Sequence, residues 1–161
     1  MTSSTEYNAT LEFPADTDIL ITRTFQAPAD LVYKAMTTPE HVRRWWGAGH
    51  GEVTTCDIDL RVGGAWRFVL TQPDGSEVPF SGEYVELDPP GRMVHTERFE
   101  PMPAPPSTIT TTFDERDGAT TMRALCRYDS KETRDAVIAS GMESGMNSSY
   151  DALEAIAIEL G

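Results

Sequence analysis

The chain has 161 residues, and its 13 Lys and Arg stand against 26 Asp and Glu, a formal net charge of −13. A length close to that of one ordinary domain argues against two separate cores, and so acidic a balance argues against nucleic acid and anionic membranes, both of which are held chiefly by Lys and Arg. An apolar share of 39% supplies a sizeable core, while no run approaches the roughly 18 apolar residues of a membrane span.

The first stretch, MTSSTEYNATLEFPADTD, lacks the basic start and apolar segment of a signal peptide. The expectation is a cytoplasmic protein with a flexible N-terminal segment over 1–16 and one domain over 17–161. From Asp18 to Gln26 the run DILITRTFQ alternates and is rich in β-branched residues, which predicts a strand. Two short helices follow. Pro28 suits the first turn of one, and Thr38-Pro39-Glu40 supplies a cap, a first-turn proline and an early acid for the next. Six more strands are predicted in EVTTCDIDL, GAWRFVLTQ, EVPFSGEYVEL, RMVHTERFE, STITTTFDE and ATTMRALCRY. Turns such as Pro73-Asp74-Gly75 and Asp117-Gly118 separate them, so the spacing implies an antiparallel meander. After Tyr128 the apolar period becomes 3.6, with Ile138, Met142, Met146, Tyr150 and Leu153 on one stripe. One long helix from near Ser130 to near Leu160 is expected to lay that stripe on the sheet.

Cys56 and Cys126 read as buried free thiols. Two cysteines do not make a metal site, and His41 and His50 show no ligand spacing, so neither a metal nor a cofactor is expected. Gly141-Met142-Glu143-Ser144-Gly145 places its serine one position too late for a nucleophile elbow.

The segments ITRTFQAPADLVYKAMTTPEHVRRWWG, DLRVGGAWRFVLTQPDGSE, FSGEYVELDPPGRMVHTERFE and SGMESGMNSSYDALE resemble the START/SRPBCC superfamily. The likeness is to its bacterial branch, similar to the C-terminal domain of the activator of the heat-shock-protein-90 ATPase. It runs from about Asp18 to Leu160. It implies an α+β helix-grip fold, in which a curved antiparallel sheet of about seven strands wraps a long C-terminal helix with a cavity between them. Superfamily relatives include lipid and hormone carriers, polyketide cyclases and allergens, so the fold alone does not select a function. Small proteins of this branch often pair, which makes a homodimer through Trp45-Trp46 an expectation; one of those rings should pack inward and the other toward the pocket mouth or a partner.

Strand alternation assigns an inner face. Trp66, Phe68 and Leu70 share it on one strand; Met93, His95, Glu97 and Phe99 share it on another; Met122, Ala124, Cys126 and Tyr128 share it on the last. The aromatics and methionines are either plain core or the walls of a pocket. Gly82, Gly141 and Gly145 favour a pocket, because they leave volume unfilled. His95 and Glu97 stand where the resemblance leads one to expect aromatic residues. Either they are a satisfied pair or lie on a strand turned toward solvent by a bulge, or they form the polar, acid–base end of a pocket. The candidate ligand-binding residues are therefore Trp66, Phe68, His95, Glu97, Phe99, Met122, Met142 and Met146. The first functional expectation is binding of a small apolar or aromatic ligand. The alternatives are a cyclase- or hydrolase-type enzyme using His95 and Glu97, and a chaperone-associated interaction domain.

Overall fold

The computed structural model describes residues 9–140 and 142–161, with the backbone alone for Met142 and Ser144. Eight strands form one unclosed antiparallel sheet. They are β1 (Thr10–Glu12), β2 (Asp18–Phe25), β3 (Glu52–Ile58), β4 (Ala65–Thr71), β5 (Glu77–Asp88), β6 (Arg92–Phe99), β7 (Ser107–Arg116) and β8 (Ala119–Arg127). Their spatial order is β1-β2-β8-β7-β6-β5-β4-β3, so the meander from β3 to β8 closes back onto β2. Helices α1 (Ala29–Thr37) and α2 (Pro39–Trp45) fill the connection from β2 to β3. The seven predicted strands are all present. An eighth, β1, pairs along Thr10↔Thr22 to Glu12↔Leu20, within the segment expected to be flexible. At the β7–β8 turn, Asp117 (φ 54°) and Gly118 (φ 80°) both take the left-handed conformation that a tight two-residue hairpin requires.

The C-terminal helix departs from expectation. Instead of one rod from Ser130 to Leu160 there are two helices, α3 (Lys131–Ala139) and α4 (Met142–Leu160). Ser130 caps α3 through a hydrogen bond that its side chain accepts from the Thr133 N–H. The connection runs through Ser140 and Gly141; the latter, one of the glycines thought to open a pocket, lies outside the described residues. Independent anchoring accounts for the separation. The buried Arg134 of α3 donates to the backbone oxygens of Ala15 (3.3 Å) and Asp18 (3.4 Å) at the start of β2, whereas α4 packs against α1 and α2.

Arg23 fixes where α4 lies. The inner face of β2 reads Ile19, Ile21, Arg23, Phe25, and all four are buried, Arg23 to 1% exposure. Its guanidinium donates to Asp151 (2.9 Å) and Glu154 (3.2 Å) on α4, and the other Glu154 oxygen accepts the Gln26 N–H (2.8 Å). Below that clamp Leu153, Ile156 and Ala157 are buried in the core. The Asp151 side chain is 44% exposed and that of Glu154 19%, so the loss on removing Arg23 comes from its own buried contacts and its tie to α4 rather than from stranded carboxylates. Arg23→Ala should therefore destabilise the domain by about 2 kcal/mol in urea unfolding. A loss under about 1 kcal/mol would show that apolar contacts alone seat α4.

Candidate functional site

The N-terminal half of α4 is held differently from its clamped half. Between the inner face of the sheet, α2, α3 and residues 145–150 lies a partly open cavity of ≈ 630 Å³. Its main wall is a cross-strand row of rings, because the register pairs Phe68 with Phe80 and Phe80 with Phe99 on neighbouring strands. Trp46 packs edge-on against Phe68 (5.5 Å between centroids) and Phe80 (5.3 Å). Trp45 turns into the core, where its indole N–H donates to the Ala35 carbonyl at 2.9 Å. The tryptophan pair thus splits as expected, and both rings are engaged inside this chain.

Of the residues nominated from sequence, Trp66, Phe68, His95, Glu97, Phe99, Met122 and Met146 all line this cavity. The side chain of Met142 lies outside the described residues. Alternation located the inner face correctly, since Met93, Ala124, Cys126 and Tyr128 line it too. The list omitted Phe80 and Trp46. Phe80 had a usable signal: it lies on the same strand face as Gly82 and Tyr84, directly opposite the nominated Phe68.

The two glycines that can be placed have different roles. A Cβ on Gly145 would meet only the His50 ring, at 3.6 Å, so that position does border free space among the described residues. Gly82 opens nothing. A Cβ there would lie 1.9 Å from the Thr96 carbonyl oxygen and 2.7 Å from the Trp66 indole nitrogen. Its bare backbone instead admits the hydrogen bond that the Trp66 indole donates to Thr96 (3.1 Å).

His95 and Glu97 both face the cavity, and they are not partners. The His95 ring stacks edge-on against Trp66 (5.8 Å) and lies beside Tyr84 (6.4 Å), and its Nδ1 is sealed from solvent without a hydrogen bond. Burial lowers its pKa to about 4 and keeps the imidazole neutral. The Glu97 carboxyl is held by burial up at about 7. The order of protonation in water is therefore inverted, and the carboxyl takes a proton before the imidazole does. No hydrogen bond or ion pair to the Glu97 carboxyl is formed among the described residues. The nearby Ser107 hydroxyl donates to the Glu97 backbone carbonyl instead (3.1 Å). Cys126, pushed up to about 12, and Tyr128 and Tyr150, raised further, are kept protonated first by burial and then by one another and the Glu97 charge. Among the described residues no three His, Cys, Asp or Glu side chains converge to hold a metal, and no helix is long and apolar enough to cross a membrane.

An ionised Glu97 costs folding free energy. Its pKa is above the ordinary 4.5 in the folded chain, so between about pH 4.5 and 7 the folded state holds the proton more tightly than the unfolded state. Its contribution to stability falls across that window and stays low above it. His95 acts in the opposite sense, costing stability as the pH drops from 6.5 toward about 4. The difference between variants isolates the carboxyl. Glu97→Gln should match the parent near about pH 4 and exceed its stability by about 3 kcal/mol near about pH 8, measured by urea unfolding at each pH. A constant difference would place the carboxyl in contact with solvent or a cation.

The comparisons with known proteins agree with this geometry. The family model described as "Activator of Hsp90 ATPase homolog 1-like protein" matches residues 26–157. A Rhodobacter sphaeroides crystal structure superposes with a TM-score of 0.87 at 26% identity, covering 96% of this chain and 100% of that one. A Mycobacterium smegmatis protein gives 0.82 at 28% identity, over 92% and 96% of the two chains. A Staphylococcus epidermidis protein solved by NMR gives 0.80 at 27%, over 94% and 95%. No curated protein matches the sequence. With the family model covering most of its length and the helix-grip architecture present, the chain belongs to the Activator of Hsp90 ATPase homolog 1-like family.

Proposed function

We propose that this domain binds a small, largely apolar or aromatic molecule in the cavity between the sheet and α4. The observation that carries the reading is a ≈ 630 Å³ space walled by aromatic and methionine side chains, with isolated polar groups at His95 and Glu97. Small-molecule sites are typically of this size and composition, in the range of about 300–1,000 Å³. A plain core closes to near-crystalline density, and leaving such a volume unfilled sacrifices contacts that packing would supply. His95 adds to that cost, because its sealed Nδ1 forgoes a hydrogen bond it would make in water. A chain that tolerates both penalties at one place favours a ligand that offsets them. The pocket residues named from the sequence are the proposed contacts, with Trp46, Phe80 and Tyr150 added.

Thermal unfolding with 1-naphthylmethanol tests this reading. A ligand that binds only the folded state adds about 2.7 kcal/mol at a concentration 100 times its dissociation constant, which raises the melting temperature by several degrees. Gly145→Leu should fill the space, remove the response and leave the fold intact. If the probe has no effect and Gly145→Leu itself destabilises by about 1–3 kcal/mol, the interior is simply a packed core.

A further inference from the structure

The interior carries an acidic group, Glu97, that no cation among the described residues is paired with. No arginine is paired with its carboxyl among the described residues. Arg23 is clamped by Asp151 and Glu154. Arg98, next to Glu97 on β6 and exposed on the cavity rim, forms no ion pair among the described residues, and Glu100, on which its charge acts, is held by Arg67. The titratable neighbours of Glu97 are Cys126 from β8, Tyr128 just after it and Tyr150 from α4, none of them a cation. Around them stand the faces of Phe99, Phe80 and Trp66.

We infer that the ligand of this cavity is an apolar amine, its protonated nitrogen placed against the Glu97 carboxylate and its hydrocarbon or aromatic body against the ring wall. This rests on the ligand-binding reading above and narrows it. Four observations favour a cation over other polar ligands. A buried carboxylate is stabilised most by a charge-assisted hydrogen bond, and no protein donor makes one here. Aromatic faces attract ammonium groups and repel carboxylates. The neutral His95 imidazole lines the same cavity without adding a competing positive charge. The net charge of −13 raises the local concentration of cations around the molecule. A fatty-acid-like anion is disfavoured at this end of the cavity, since the Glu97 carboxylate and the aromatic faces would repel it.

Three probes of one shape make the test: 1-naphthylmethylamine, 1-naphthylmethanol and 1-naphthoate, titrated calorimetrically near neutral pH into the full chain and into Glu97→Gln. The amine should bind the parent tighter than the alcohol by about tenfold or more, and in Glu97→Gln the ratio of the two affinities should fall to about one. Equal affinities for amine and alcohol, or tighter binding of the naphthoate, would overturn the amine inference and leave the cavity reading standing. Amine binding that survives Glu97→Gln also overturns it, since an acidic surface would then be the site. If none of the three binds, both readings fail. The amine-to-alcohol ratio is measured on the parent chain and does not depend on the variant folding.

Discussion

The architecture turns on how one helix is seated. α4 crosses the sheet with its C-terminal half pressed into the core by Leu153, Ile156 and Ala157 and clamped through Asp151 and Glu154 to Arg23. The clamp is rigid for a physical reason. A guanidinium buried to 1% exposure keeps its charge only while its carboxylate partners stay in place. That fixes the height of α4 above β2 and β8. Its other half, from Gly145 to Tyr150, cannot descend onto β4, β5 and β6 without lifting the clamped end. The ≈ 630 Å³ cavity lies between this half of α4 and the inner face of the sheet.

Polar groups buried in that space act against stability. The depressed pKa of His95 and the raised pKa of Glu97 have one cause, the removal of water. In a core whose only task was to fold, both positions would be better filled by aromatic residues. Under the proposed function, each is a point where a ligand would gain more than a surface contact yields, because a hydrogen bond in an apolar setting is stronger than one in water.

Much of this was legible in the residues. Alternation along β4, β6 and β8 identified the face that lines the cavity, since a strand repeats every two residues whatever its tertiary setting. The features that escaped are tertiary. Arg23 sits in an otherwise apolar alternation, and a lone charge in such a run does not announce partners 128 and 131 residues away. The break between α3 and α4 depends on Arg134 reaching the backbone at Ala15 and Asp18, which periodicity cannot report. Gly82 looked like missing volume and is a point of close approach, a distinction set by the carbonyl of Thr96 on the neighbouring strand. β1 has three residues, too few for alternation to register.

The Glu97 carboxyl faces the interior of this domain with no cation paired to it among the described residues. The most direct measurement is a ¹³C NMR titration of the Glu97 side-chain carboxyl in the unliganded protein, with Glu97→Gln assigning the resonance. A midpoint near 7, displaced by burial from the ordinary 4.5, is the predicted result. A midpoint at or below the ordinary value would contradict the account, because it would mean that water or a positive charge already reaches the group.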